Sequence, residues 1–268
     1  MRISTITKLL KANDNIEFSY PDTDIQELII DTRKIANAAH ALFFALKGVL
    51  RDGHQFIAAA YLKGIRFFVV AEPVDEAAFP EALFLKVPDV LQALQAIGAQ
   101  HRAQFTYPVI GITGSNGKTI VKEWLYELLS QCSPYNEQAG PVRSPKSYNS
   151  QIGIPLSTWL MQANNTIGIF EAGISKPGEM EQAEAIIRPD IGMFTNIGDA
   201  HNEGFDSIQS KIEEKLKLFE HTKQLIYCKD QEQVHKSIEA WLQKRSASGK
   251  DPVQCFTWSV HTGADLTI

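Results

Sequence analysis

The segment Pro108–Gln131, PVIGITGSNGKTIVKEWLYELLSQ, constrains the fold of this chain more than any other stretch of its 268 residues. A short apolar strand runs into a glycine-containing loop, and the loop ends in Lys-Thr where a helical pattern begins. In such a loop, glycines let backbone N–H groups turn toward an anion, a lysine adds positive charge, and a threonine hydroxyl can bind the Mg²⁺ of a nucleotide. The segment therefore predicts a phosphate-binding loop made of Gly114, Ser115, Asn116, Gly117, Lys118 and Thr119.

The alternative is a glycine-rich turn that arose by chance, because a G-x-x-G-K-[ST] string occurs by accident in roughly one chain of this length in a hundred. The strand before the loop and the helix after it favour the phosphate interpretation. The loop departs from the strict G-x-x-x-x-G-K-T pattern, since the glycine lies one place early, at Gly111, and position 112 is Ile112. This departure indicates a variant class of phosphate-binding loop. In the helix we expect one apolar stripe, formed by Val121, Trp124, Leu125, Leu128 and Leu129.

Charge and composition limit the class of partner. A net charge of -5 and a pI near 5.8 argue against nucleic acid, so we expect the phosphate to belong to a small molecule. The sequence has no apolar run near 18 residues and no signal-peptide pattern at its start, which predicts a cytoplasmic protein without membrane insertion. Cys132, Cys228 and Cys255 fit neither a disulfide framework nor a C-x-x-C metal site and are expected to be reduced thiols.

The order of predicted elements indicates an α/β fold with two domains. We expect a small N-terminal α/β domain over residues 1–105, followed by a mostly parallel, doubly wound central domain over residues 106–268. The predicted strands are Ala41–Leu46, Arg66–Val70, Val109–Thr113, Ile167–Glu171, Ile191–Thr195 and Leu225–Cys228, and the predicted helices are Gln55–Lys63, Val90–Arg102 and Ser207–Glu220. In such a sheet, ligands bind at the carboxyl ends of the strands. The chain ends soon after a strand, so we also expect the central domain to be incomplete and the natural protein to continue beyond Ile268.

Two candidate metal ligands follow predicted strands at the same edge of the sheet as the loop. Glu171 closes the strand IGIFEAG, and His201 lies in the loop NIGDAHNEGF after the next strand. Mg²⁺ prefers oxygen ligands such as a carboxylate. Considered alone, a glutamate at a strand end is more often solvated, and a histidine is more often packed or on the surface. Two candidates on neighbouring strand ends support each other.

Two further side chains leave alternatives open. Lys215 falls within the apolar stripe of its predicted helix, where a lysine is disfavoured unless it is paired or chemically altered. The alternative is a side chain that extends to water from the end of the helix. Arg33, in the string Asp31-Thr32-Arg33, suits a phosphate or carboxylate, whereas a surface ion pair is the commoner explanation of one arginine. The residues alone do not decide either case.

Several of these strings resemble those of the Mur ligases. They are DTR at Asp31–Arg33, ALFFALKGVLRDGHQFIAAAYLKG at Ala41–Gly64, TGSNGKT at Thr113–Thr119 with the following VKE, SYNSQIGIPLS at Ser147–Ser157, FEAG at Phe170–Gly173 and AHNEGF at Ala200–Phe205. The variant loop is this family's form. The last string and the KE after the loop are most similar to the member that uses D-alanyl-D-alanine. The pattern SPKSYNSQIGIPLS resembles versions fused to an alanine racemase domain.

The resemblance implies roles for individual residues. Lys118 and Thr119 would hold the ATP phosphates and Mg²⁺, and Glu171 and His201 would join Thr119 as metal ligands. Lys215 matches a lysine that is carbamylated in many members, a modification that would turn a buried cation into an anion able to bridge Mg²⁺. Lys118, Lys215 and His201 then form the catalytic set. The residues assigned to the UDP-sugar-peptide substrate are Thr32, Arg33, Asn149 and Ser150, the last of which replaces the second asparagine usual in the family.

The implied reaction joins D-alanyl-D-alanine to UDP-MurNAc-tripeptide in peptidoglycan precursor synthesis, with ATP and Mg²⁺. The family's third, C-terminal domain has no counterpart in the sequence, so we expect these 268 residues alone to bind substrates without forming an amide bond. One alternative is another amide ligase, either a different Mur-type enzyme or a folylpolyglutamate-type one. The other is a binding module that holds a UDP-sugar or ATP and catalyses nothing.

Overall fold

The computed structural model describes residues 1–12, 21–49, 51–131, 140–198, 204–261 and 263–268. These residues divide into two compact units, Met1–His101 and Arg102–Ile268. The division falls four residues before the boundary expected from the sequence. None of the helices in the described ranges is both long and apolar enough to span a membrane.

The first unit is built on a four-stranded parallel sheet. Its strands occur side by side in chain order, as β1-β2-β3-β4. Side chains of β2 and β3 are buried along the whole strand, which is typical of a parallel sheet covered on both faces. The helices and strands are α1 (Ile3–Leu10), β1 (Glu27–Ile29), β2 (Ala41–Phe44), α2 (Ile57–Leu62), β3 (Phe67–Val70), β4 (Leu83–Lys86) and α3 (Val90–Arg102).

Aromatic rings fill the core of the first unit. Phe68 stacks on Phe84 with ring centroids 5.1 Å apart and meets Phe43 edge-on at 6.0 Å. These rings come from three neighbouring strands and lie on one face of the sheet, because Phe43, Phe68 and Phe84 are directly paired across the strands. Helix α3 begins after Asp89, whose carboxylate accepts hydrogen bonds from the backbone N–H groups of residues 91 and 92.

The described residues of the second unit form a seven-stranded parallel sheet in the order β11-β10-β9-β8-β5-β7-β6. The helices and strands are β5 (Val109–Thr113), α4 (Lys118–Gln131), β6 (Val142–Arg143), α5 (Gly153–Thr158), β7 (Gly168–Glu171), α6 (Glu179–Ile187), β8 (Ile191–Phe194), α7 (Ile208–Leu216), β9 (Gln224–Cys228), α8 (Glu232–Ala247), β10 (Gln254–Ser259) and β11 (Leu266–Thr267). The predicted mixed α/β fold with parallel sheets is confirmed.

The strand order reverses direction at β5. From β5 the chain builds β7 and β6 on one side, and it then places β8 and the later strands on the other side. This reversal makes β5 the topological switch point of the sheet, and in doubly wound folds ligands bind in the crevice beside the carboxyl ends of the strands at such a point. The loop Gly114–Gly117 follows β5, so it lies at this crevice.

Helix α4 follows that loop, and three of the five residues in its predicted apolar stripe face the core. Val121, Leu125 and Leu129 pack against the core formed by β5 and its neighbours. Trp124 and Leu128, by contrast, are 72% and 59% exposed. At 100° per residue they extend the apolar side of the helix beyond the arc that the sheet covers. Spacing alone could not show how wide the contact between helix and sheet is.

Candidate functional site

The loop between β5 and α4 has the backbone that its glycines were expected to provide. Gly114 has φ = 142° and Gly117 has φ = 81°, and both values disfavour residues with a side chain. Space also restricts Gly114, because a Cβ atom there would lie 2.0 Å from the Thr195 hydroxyl oxygen. The loop therefore turns sharply out of the sheet and delivers Lys118 and Thr119 to the first turn of α4.

The loop after β8 holds the loop after β5 in place. Ser115 N donates to the Asn196 carbonyl at 2.8 Å, and Asn116 N donates to the Asn196 side-chain oxygen at 2.9 Å. The Thr195 hydroxyl donates to the Asn116 carbonyl at 2.6 Å, and the Ser115 hydroxyl donates to the Gly198 carbonyl at 3.2 Å. These bonds fix the expected phosphate loop against the loop that follows β8.

Three lysine side chains gather around this loop. Lys118 Nζ donates to the carbonyls of Gly114 and Ser115 at 2.8 and 3.0 Å. Lys215 Nζ, from α7, donates to the same Gly114 carbonyl at 3.1 Å. Lys211, one turn earlier in α7, donates to the Gly198 carbonyl at 2.7 Å. The positive charge of these lysines makes this edge of the sheet electropositive, which suits an anionic ligand.

The electrostatics of Lys215 follow from this crowding. Its side chain is 3% exposed, so extension to water, one of the alternatives left open by the sequence, does not occur. Burial is the main cause that lowers its pKa from 10.5 to about 7, and the charges of Lys118 and Lys211 add to the effect. Lys217 points the opposite way and pairs with Glu181 and Glu214 at 2.8 and 2.9 Å.

Lys118 is affected in the same direction. Burial lowers its pKa most, Lys211 lowers it further, and the carboxylate of Glu171 opposes both. Lys118 and Lys215 therefore each bind a proton less tightly than a free lysine side chain does. A polyanion in the crevice would reverse this, because a nearby negative charge favours the protonated form of a lysine.

Glu171 supplies the acidic part of the site. It ends β7 and is fully buried, in contrast to the solvated side chain usual at a strand end. Its Oε2 accepts a hydrogen bond from the Thr119 hydroxyl at 2.9 Å, which brings together two of the three predicted metal ligands. A hydroxyl and a carboxylate are the hard oxygen ligands that Mg²⁺ takes. The third predicted ligand, His201, lies outside the described residues. Within those residues, no group of three His, Cys, Asp or Glu side chains is arranged to hold a metal ion.

The residues assigned to the substrate are divided between the two units. Asn149 is half-buried beside the strand end of β7, where its carbonyl accepts from Gly173 N at 2.8 Å. The Ser150 hydroxyl oxygen accepts from Gly153 N, the first residue of α5, at 3.1 Å. Ser150 therefore contributes to the start of a helix. In the first unit, Thr32 and Arg33 follow β1 in a short 3₁₀ helix.

Arg33 forms the ion pair that was the commoner explanation of its pattern. Its Nε and one terminal nitrogen donate to the Asp31 carboxylate at 2.9 and 2.7 Å, and this pair holds the pKa of Asp31 well below its usual range. Both residues, with Thr32, line a cavity of about 450 Å³. Arg51, Phe43 and Phe56 line the same cavity, which combines a second arginine with aromatic surface. Such a lining suits a ligand with a ring and an anionic group.

Sequence reasoning missed Lys211, Lys122 and Arg51. Lys211 precedes Lys215 by four residues, so the helical spacing that identified one could have identified both. Lys122 follows Thr119 by three residues and is fully buried. The position of Arg51 gave no signal, because only the fold brings it to the cavity. Of the three cysteines, Cys228 and Cys255 are free thiols and Cys132 lies outside the described residues.

Comparison with known families and proteins gives consistent results along the chain. Residues 112–256 match the model of the Mur ligase middle domain, and residues 24–102 match the model described as Mur ligase family, catalytic domain. The chain is 33% identical over 215 residues to UDP-N-acetylmuramoyl-tripeptide–D-alanyl-D-alanine ligase of Bacillus subtilis (strain 168). The matched region covers 79% of this chain and 45% of the relative. The ligase of the same name from Escherichia coli (strain K12) is 30% identical, covering 81% of this chain and 44% of that protein.

Solved structures agree with these sequence matches. A crystal structure of MurF from Acinetobacter baumannii superposes with a TM-score of 0.79 and 25% identity, covering 98% of this chain and 53% of that one. MurF ligase from Thermotoga maritima in complex with ADP superposes with a TM-score of 0.71 and 23% identity, covering 89% and 51%, which supports the fold. The chain spans about half the length of the relatives it matches.

Proposed function

Because this chain belongs to the Mur ligase family, we propose that it is part or all of an ATP-dependent ligase that adds D-alanyl-D-alanine to UDP-N-acetylmuramoyl-tripeptide. The names of its relatives support this choice of substrates. The observation that carries the proposal is the convergence of Lys118 and Lys215 on the Gly114 carbonyl at the switch point of the sheet, with Lys211 on the adjoining Gly198 carbonyl. A cytoplasmic location, expected from the sequence, is part of this proposal.

The site suits a nucleotide with a divalent cation. Lys118 and Lys211 provide positive charge for the phosphates, and the loop between β5 and α4 offers backbone N–H groups at the start of a helix. Thr119 and Glu171 provide the oxygen ligands that would hold Mg²⁺, and His201 remains the third predicted ligand. When bound, the cation would neutralise part of the charge on the phosphates. Lys118 would do the same from the protein side.

The proposed reaction has two steps. A carboxylate oxygen of the tripeptide attacks the γ-phosphorus of ATP, the bond to the β-phosphate oxygen breaks, and ADP leaves an acyl phosphate behind. The amine of D-alanyl-D-alanine then attacks the acyl carbon, a proton leaves the nitrogen, and phosphate departs as the amide forms. The first step makes a poor electrophile reactive, and Lys118 stabilises the charge that moves between phosphate oxygens.

Lys215 is proposed to be carbamylated in the active protein. The reaction joins the neutral amine nitrogen to the carbon of CO₂ and releases one proton, so it needs an amine that is not protonated. With a pKa of about 7, Lys215 is neutral in a large fraction of molecules at pH 7, whereas a lysine with its ordinary pKa of 10.5 is almost entirely charged. The product is an anion that Lys118 and Lys211, the two neighbouring cations, would stabilise.

The cavity of the first unit is proposed to bind the UDP end of the substrate. Arg51→Ala should weaken binding of UDP to the chain by about tenfold, since a hydrogen bond to a charged group contributes about 1.5 to 3 kcal/mol. Calorimetric titration with UDP measures this. Lys86→Ala is the control, because Lys86 pairs with Glu76 and does not line the cavity. Equal affinities of wild type and Arg51→Ala would place the uridine site elsewhere.

Turnover with a panel of acceptors tests the reaction itself. Protein, ATP, Mg²⁺ and UDP-MurNAc-tripeptide are mixed with D-alanyl-D-alanine, with single D- and L-amino acids, or with glutamate, and both phosphate release and amide formation are recorded. We expect D-alanyl-D-alanine to be used if the protein contains every domain that the reaction needs. Use of a different acceptor would indicate another Mur-type or folylpolyglutamate-type ligase. Binding of UDP and ATP without turnover by the full natural protein would indicate a binding module.

A further inference from the structure

Lys122 is a charged side chain of α4 that the proposed chemistry leaves without a role. It is fully buried. Its Nζ donates to the carbonyl of Ser144 at 2.8 Å and also to the carbonyl of Lys146. It lies 3.0 Å from a carboxylate oxygen of Glu123 and 3.6 Å from Oε1 of Glu171. A buried ammonium is costly unless it is paired and hydrogen-bonded, and these four oxygens meet that requirement.

One turn of α4 contacts both oxygens of the Glu171 carboxylate. Thr119 donates to Oε2, and Lys122 forms an ion pair with Oε1. The two residues are three apart and so lie on the same face of the helix. Among the described residues, Oε1 of Glu171 has no hydrogen-bond donor. The charge of Lys122 is therefore the contact that orients this oxygen.

Lys122 also connects Glu171 to the segment that leads to Asn149. The Ser144 carbonyl accepts from Lys122, and the Ser144 hydroxyl oxygen lies 3.4 Å from the backbone N of Glu171, which donates to it. Further along the same segment, the Asn149 carbonyl accepts from Gly173 N. A change at Lys122 would therefore disturb the carboxylate and the segment beside it together.

We propose that Lys122 is a positioning residue for the divalent cation of the nucleotide. It holds Oε1 of Glu171 so that Oε2 stays beside the Thr119 hydroxyl. Oε2 and the Thr119 hydroxyl oxygen are then placed to bind the cation together. Mg²⁺ tolerates little deviation from its preferred ligand geometry, so a rotated carboxylate would bind it poorly. This inference rests on the proposed nucleotide function and assigns Lys122 no direct contact with the nucleotide.

The test is the Mg²⁺ dependence of ADP binding by Lys122→Met, which keeps most of the length of the side chain and removes its charge. ADP is titrated by calorimetry at a series of Mg²⁺ concentrations. Mg²⁺ should raise the ADP affinity of both proteins. We expect the Mg²⁺ concentration that gives half of this increase to be about tenfold or more higher in the variant, as is typical when a partner of a metal ligand is lost. ADP affinity without Mg²⁺ should stay close to that of wild type. Glu123→Gln is the matched control, because it removes the other nearby carboxylate and leaves Glu171 paired.

The outcomes separate the inference from the proposed function. A Lys122→Met protein that melts at a lower temperature but keeps the wild-type Mg²⁺ dependence overturns the inference and leaves nucleotide binding intact. Wild-type protein that binds no ADP overturns both. If Lys122→Met does not fold, Lys122→Gln keeps a hydrogen-bond donor in the buried space and removes the charge. An unchanged Mg²⁺ dependence in that variant overturns the inference, and a raised Mg²⁺ requirement supports it.

Discussion

Lys118→Ala is expected to weaken binding of Mg²⁺–ADP to the chain by roughly 10- to 100-fold, the effect of losing one charge-assisted contact with phosphate. The ammonium of Lys118 already points at the glycine loop, where it donates to the carbonyls of Gly114 and Ser115. The side chain is not part of the apolar core, so the fold should survive the change. Calorimetry with ADP measures the affinity, and circular dichroism checks the fold.

The matched control is Lys223→Ala. Lys223 precedes β9 at the opposite edge of the sheet, is exposed, and pairs with Asp190 at 3.0 Å. Both variants lose one positive charge, but only Lys118 lies at the loop. Equal weakening by the two changes would mean that general charge, and not this contact, attracts the nucleotide. Wild-type affinity of Lys118→Ala would exclude the loop as the phosphate site.

Lys215→Met is expected to stabilise the ligand-free protein at pH 7 and to change how stability depends on pH. The folded-state pKa of Lys215 is about 7, against 10.5 for the unfolded chain. Between these two values the unfolded chain binds a proton that the folded protein does not. This residue therefore makes the free energy of unfolding rise with pH by up to about 1.4 kcal/mol per pH unit. Between pH 7 and 10.5, Lys215 changes the free energy of unfolding by about 4 kcal/mol in total.

The measurement is denaturant unfolding of wild type and Lys215→Met at several pH values from 7 to 10, in buffer free of phosphate and bicarbonate. The difference between the two proteins isolates Lys215, because every other group titrates in both. We expect the advantage of the variant to shrink as pH rises. If the free energies of unfolding of the two proteins changed in parallel with pH, the folded protein would not disfavour the charged form of Lys215. With ¹³C-labelled bicarbonate added, a carbamate signal in wild type that the variant lacks would support the proposed modification.

The parts of the fold set by local pattern were predictable from sequence. Helix α3 and strand β5 have the predicted bounds, because a capping aspartate marks the start of one and a buried apolar run defines the other. Helix α7 is shorter than predicted, since its last turn tightens into a 3₁₀ helix at Lys217–Phe219. Such tightening depends on what the last turn packs against, which periodicity does not report.

The candidate site was predictable only where a motif or a helical position was anomalous. Lys215 stood out because a cation lay in an apolar stripe, and the loop stood out through its glycines. Lys122 did not, because its partners are backbone carbonyls and a strand end far along the chain. Arg33 is a residue that the sequence did single out but whose role it could not decide. Its pattern suited a phosphate or carboxylate as well as the commoner surface ion pair, and only the fold shows the pair with Asp31.

The two glycines of the phosphate loop differ in how strictly evolution must keep them. At Gly117 only the backbone angle is demanding, and no atom of the described residues lies within 4 Å of the place where a Cβ would be. Asparagine and aspartate adopt such left-handed angles at modest cost, so the backbone at this position tolerates either residue. At Gly114 the backbone angle and the Thr195 hydroxyl both forbid a side chain. A lineage could reach another residue there only by rebuilding the end of β8 in the same step, and two linked changes are far rarer than one.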